Sequence, residues 1–247
     1  MPCYSDSCSR SSPFFHRHEA VEFKDLRTLL RLSYKYDVPH IQAECLFRLT
    51  ARFSPALATY DKERYLDRYI QLRRVDAIAV VCLARQYHAL AGILPVALFE
   101  CCQLPKEQLV ASVQYDDGED EQLAPGDLWL CLAALDPLAE QSNWIRERLL
   151  DKDVWPKENC TRRKECRNAH EELAQALIEQ SASKLHSTST NPLLRVEVTI
   201  VLAAKGIALC ENCKQEFANL QGFERGQVWR GLDKLFGCEP GSTMSLI

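Results

Sequence analysis

The stretch LLRLSYKYDVPHIQAECLFRL, residues 29–49, decides how this chain is read. It predicts two short helices around a tight corner. Leu26, Leu29, Leu30, Leu32 and Tyr36 recur at helical spacing and give the first helix a broad apolar face. Val38 precedes a proline, which disfavours α geometry there. Pro39 suits the first position of a second helix, where its missing N–H is no loss. Ile41, Cys45, Leu46, Leu49 and Phe53 then return at helical spacing. Arg27, Arg31, Gln42, Glu44 and Arg48 are assigned to the wet sides. Two helices this short do not stand alone, so their apolar faces must dock on something.

Leu29-Leu30, Lys35-Tyr36, Val38, Ile41, Glu44-Cys45 and Leu49 fall on an LL…KY.V..L…C…L pattern. Over these residues the chain resembles the helical hairpin that closes BTB/POZ domains. The resemblance implies a non-enzymatic module that binds other proteins, as a ubiquitin-ligase substrate adaptor does. Only Met1 to Arg27 precede the hairpin, so a truncated domain without the BTB sheet is expected. Homodimerisation through that sheet is then not expected. Leu26, Leu29, Leu30 and Tyr36 would be left as an apolar strip open to a partner.

Composition sets wider bounds. The chain has 247 residues, room for one large domain or two small ones. Nine glycines are few for that length and, with the helical periodicity, favour a mainly α chain. A net charge of −4 gives no electrostatic reason to expect nucleic acid. Apolar runs fall well short of the ~18 residues of a membrane span, and no secretory leader is seen. An intracellular protein of the cytoplasm or nucleus is expected. Its twelve cysteines should then be reduced thiols or metal ligands. Asn159-Cys160-Thr161 matches a glycosylation acceptor by chance.

Residues 1–20 read as a disordered leader and 21–54 as the hairpin. Residues 55–150 read as a helical array. It holds a short helix after Pro55, a clean helix over Val75–Leu90 capped by Gly92, and a buried one over Val96–Cys102. Another opens at Pro105 with Leu109, Val110 and Val113 inward. The acidic run at residues 116–122, DDGEDEQ, reads as a solvated turn. A helix from Pro125 buries Leu128, Cys131, Leu132 and Leu135 and is kinked or ended by Pro137. Trp144, Ile145 and Leu149 continue its stripe. Residues 151–238 hold a loop, a helix from Cys166, a flexible linker near 181–191, and a segment over 193–209 read as helix rather than strand. A last element over Cys213–Leu235 is weakened by Gly222, Gly226 and Gly231. Residues 239–247 are a tail. The predicted fold is mainly α, an irregular array of short helices with little or no sheet. The short helices with proline at their starts resemble the BACK-like array that follows a BTB hairpin.

Cys160-(x5)-Cys166 and Cys210-(x2)-Cys213 flank the long helix and linker. Two cysteine pairs brought together suit a structural zinc ion, because four soft thiolates complete a tetrahedron. His170, four residues after Cys166, is a candidate substitute ligand. The alternative is that these are free thiols packed as small apolar groups, as Cys82, Cys101, Cys102 and Cys131 are expected to be. A zinc site would make the chain a zinc-stabilised regulatory or nucleic-acid-binding domain instead of a plain interaction module.

Leu209-Cys210-x-x-Cys213, then Trp229, Leu232, Leu235 or Phe236, and Gly237, together with Cys160/Cys166, Ala77–Val80, Leu83–Arg85, Asp127-Leu128 and Cys131-Leu132, occur in a shared order. In that order they are similar to BTB proteins of mushroom-forming fungi. Asp233 departs from the proline usual in those relatives. The resemblance implies architecture more than activity.

No enzyme is expected. The sequence has no GxGxxG or GxxxxGK[ST] loop, no GxSxG elbow and no HExxH helix. Cys166 and His170 share a helix but lack an orienting group or oxyanion loop. Arg162-Arg163-Lys164 is too short a basic run for a nucleic-acid surface.

Overall fold

The computed structural model describes residues 19–64, 66, 68–116, 118–151, 155–156, 158–183, 191–196, 198–203 and 206–238. The expected leader up to residue 18, the tail over 239–247 and most of the expected linker, residues 184–190, lie outside the described residues.

α1 (Phe23–Lys35) and α2 (Pro39–Arg52) flank the predicted corner. Asp25 in the first turn of α1 and Lys35 in its last turn suit the helix dipole. Asp37 adopts the left-handed conformation (φ 51°). Asp tolerates it better than most residues. The Val38 N–H then reaches back to the Ser33 carbonyl at 2.8 Å, which ends the helix in a Schellman turn. Gln42 on α2 donates to the same carbonyl at 2.8 Å and fixes the angle between the helices.

Leu26, Leu30, Cys45 and Leu49 are fully buried, so the hairpin docks inside its own chain. Arg27 and Arg48, assigned to the wet sides, are fully buried as well. Burial of a guanidinium is tolerated only where its charge and donors are met. Arg48 donates to Glu44 and to the carbonyls of Glu19 and Tyr69, all at 2.8–2.9 Å. Arg27 stands 2.8 Å from Glu121 and 4.0 Å over the ring of Tyr115.

α3 (Leu57–Glu63) follows, then α4 (Ala77–Gln86) and α5 (Leu94–Cys101). α5 buries Leu94, Val96, Ala97, Leu98 and Phe99 around its whole circumference, which makes it the centre of the core. Gly92 does not cap α4; it lies in a 3₁₀ segment, His88–Ile93, that links α4 to α5. α6 (Lys106–Val110) buries Leu109 but leaves Val110 outward.

Sheet is small. β1 (Val21–Glu22) pairs in parallel with β2 (Ile70–Gln71), Val21 opposite Ile70. β3 (Val113–Gln114) pairs antiparallel with β4 (Asp120–Glu121), Val113 opposite Glu121. Helix takes 69% of the described residues and strand 4%, so the fold is mainly α as predicted. The acidic turn is not wholly solvated. β4 turns Glu121 inward to 7% exposure, where Arg27 and Arg31 meet its carboxylate. A carboxylate with two cationic partners is cheaper to bury than to leave unpaired.

α7 (Pro125–Leu149) continues through Pro137, which does not end it. Leu130, Cys131 and Ala134 before the proline, and Leu138, Ile145 and Leu149 after it, are all buried. That shared packing outweighs the ~3 kcal/mol an internal proline costs. The buried stripe is rotated from the predicted one, so Leu132 and Trp144 face outward.

α8 (Arg163–Ser183) begins just before Cys166. The helix expected over 193–209 shrinks to α9 (Val198–Ala203). Gly206 (φ 68°) closes it, and the Ile207 N–H returns to the Leu202 carbonyl at 3.0 Å. α10 (Glu211–Leu235) is continuous through its three glycines. Phe217, Gln221, Arg225, Val228 and Leu232 anchor its inner face, which offsets ~1 kcal/mol per glycine. Arg225 forks onto Asp61 of α3 and also donates to the Leu193 carbonyl. The Trp229 indole donates to the Pro55 carbonyl at 2.6 Å. α10 therefore ties the end of the chain to its first third. No helix among the described residues is long and apolar enough to cross a membrane.

Candidate metal centre

Cys160 sits on the loop that leads into α8, and Cys166 in that helix's first turn. Cys210 is the N-cap residue of α10, and Cys213 lies in its first turn. Two helix starts thus bring two cysteines each to one point. The four Sγ atoms lie within 4.8 Å of one another. Cys166, Cys210 and Cys213 are buried; Cys160 is half-buried.

The spacing fits a metal better than a covalent bridge. Sulfurs about 2.3 Å from one tetrahedral ion stand about 3.8 Å apart. The Cys160 and Cys210 sulfurs are 3.9 Å apart, whereas a disulfide needs about 2.05 Å. All four are free thiols. With four protein ligands and no open position, the arrangement has the form of a structural site, not a catalytic one.

Backbone and side chains brace the cluster. The Cys210 N–H donates to the Cys166 sulfur at 3.2 Å. Asn212, between the α10 ligands, donates to the Asn159 carbonyl at 2.7 Å. The sequence held no signal for that pair, 53 positions apart. Burial pushes the Cys166 and Cys213 thiols up. Burial acts the same way on Cys210, but hydrogen bonds from the Cys213 and Thr161 backbones and side chains bring it down to about 5. Of these three, Cys210 is the one held toward the thiolate, the form that binds metal.

His170 is not part of the cluster. It is buried on the next turn of α8, with Nε2 3.0 Å from the Leu149 carbonyl and its ring stacked on Trp155. Trp155 also leans on Phe217 of α10, so this aromatic layer supports the two helices that carry the ligands. The four ligand atoms that gather are all sulfurs, and the Nε2 of His170 is engaged by Leu149.

The strip expected to face a partner is divided. Leu26 and Leu30 are buried in the chain's own core, Leu29 packs against it half-buried, and Tyr36 is 65% exposed. A cavity of about 460 Å³ opens elsewhere, between Phe23, Arg73, Asp76 and Tyr115. Its charges are met within the chain: Arg73 and Tyr115 both bond Asp76, and Lys24 pairs with Glu22 and Asp116. Cys101, Cys102 and Cys131 are buried as small apolar groups, as expected, while Cys82 is half-buried and donates to the Gln122 carbonyl.

Compared with known proteins, the chain matches no family model, no curated protein and no solved structure.

Proposed function

We propose that Cys160, Cys166, Cys210 and Cys213 bind a structural zinc ion, and that the chain is a non-enzymatic, zinc-stabilised helical module that binds other proteins. The observation that carries the metal reading is the approach of four sulfurs to within 4.8 Å. Four sulfur ligands in a tetrahedron select zinc or iron over hard cations. The ion would fasten the start of α8 to the start of α10. Elemental analysis of the purified chain tests this. One zinc per chain, lost in Cys213→Ser and kept in Cys82→Ser, supports it. No metal, or zinc surviving Cys210→Ser, rejects it; iron would make the site an electron carrier instead.

The protein-binding part rests on the BTB-like residues of the α1–α2 hairpin. Tyr36, with exposed Leu32 and Tyr34 beside it, is the surface a partner would cover. If the chain acts as a ubiquitin-ligase adaptor, it should bind a purified cullin amino-terminal domain in biolayer interferometry. Tyr36→Ala should weaken that binding at least ~10-fold, as an interface aromatic does. No binding by the intact chain rejects the adaptor role.

A further inference from the structure

We infer that the cysteine cluster is a redox-releasable clasp, in which a peroxide joins Cys160 to Cys210 and thereby expels the metal. The inference rests on the zinc reading given above and adds its regulation. Two observations single out this pair. First, Cys160 is the half-buried member, on a loop outside any helix, while Cys166 and Cys213 are 1% and 0% exposed inside helical turns. An oxidant in solvent meets Cys160 first. Second, the Cys210 sulfur stands 3.9 Å from that of Cys160, and Cys210 sits at the outer edge of α10 as its N-cap. Closing to the ~2.05 Å of a disulfide needs a shift of about 2 Å, which a loop residue can make.

The chemistry balances with one peroxide. The Cys160 thiolate attacks a peroxide oxygen; the O–O bond breaks and hydroxide leaves, taking a proton to become water. Cys160 is now a sulfenic acid. The Cys210 thiolate attacks that sulfur; the S–S bond forms, the S–O bond breaks, and a second hydroxide leaves as water. Two thiolates give up one electron each, one peroxide becomes two waters, and two solvent protons are consumed. Cys166 and Cys213 are then the only ligands left, too few to hold the ion tightly. A dithiol reverses the bridge by exchange.

The test uses the full chain with its zinc content measured first. Equimolar hydrogen peroxide is added with a chromogenic chelator present, and the products are alkylated and mapped by mass spectrometry. The expected result is release of the one bound zinc, a Cys160–Cys210 linked peptide, and recovery of both with dithiothreitol and zinc. Zinc retained while half-buried Cys82 or Cys238 is oxidised overturns the clasp and leaves the zinc reading standing. So does release with Cys160 and Cys210 unlinked. A chain that holds no zinc before peroxide is added overturns both.

Discussion

The backbone N–H of Cys210 donates to the sulfur of Cys166 at 3.2 Å, across 44 positions of sequence. An amide aimed at a sulfur stabilises the thiolate that a metal ion needs. The ion would then be part of the fold's stability, because a folded site binds it and an unfolded chain does not. At free zinc about a thousandfold above the dissociation constant, the chain should gain ~4 kcal/mol in urea denaturation. Chelation should remove that gain. Hydrogen exchange should then speed up at the starts of α8 and α10, with α4 and α5 still protected.

Arg27→Gln should be among the most damaging changes to the hairpin. It strips the buried one of Glu121's two cationic partners and leaves half-buried Arg31 alone with that carboxylate. Breaking a buried pair from one side costs ~3–5 kcal/mol. Arg68→Gln, which loosens a half-exposed contact with Glu63 at 3.9 Å, should cost ~1 kcal/mol or less. Urea midpoints of the two variants against the parent chain check the contrast.

Arg225→Lys keeps the charge but loses the fork onto Asp61 and the bond to the Leu193 carbonyl. Hydrogen bonds to charged groups contribute ~1.5–3 kcal/mol each, so the variant should lose at least ~2 kcal/mol. Phe223→Ser, exposed on the same helix, should be near neutral. Thermal unfolding at fixed zinc measures both.

Alkaline pH should weaken the fold partly through Cys45. Burial, then the Glu44 charge, pushes its thiol up to about 12, against ~8.5 in an unfolded chain. A raised thiol pKa means the fold favours the protonated form. Its contribution is intact below pH ~8.5 and declines above it by up to ~1.4 kcal/mol per pH unit until about 12. Cys45→Ala should start less stable but show a shallower loss between pH 8.5 and 10.5 in urea titrations (~2 pH units).

The sequence by itself determined what depends on near neighbours. Apolar spacing gave the helices, Asp37-Val38-Pro39 gave the corner, and soft-ligand chemistry picked out Cys160, Cys166, Cys210 and Cys213. It placed Arg27 and Glu121 in water, because nothing local shows a partner 94 positions away. Pro137 looked like a kink or a helix end because its cost is local, while the packing of Leu130 and Leu138 that keeps α7 continuous is not. His170 shared a helix with Cys166, but only the fold could hand its Nε2 to Leu149. The convergence of two helix starts on one point was likewise tertiary. Residue types and periods are written along the chain; which charges meet, and which sulfurs gather, is settled only when distant segments share one low-dielectric interior.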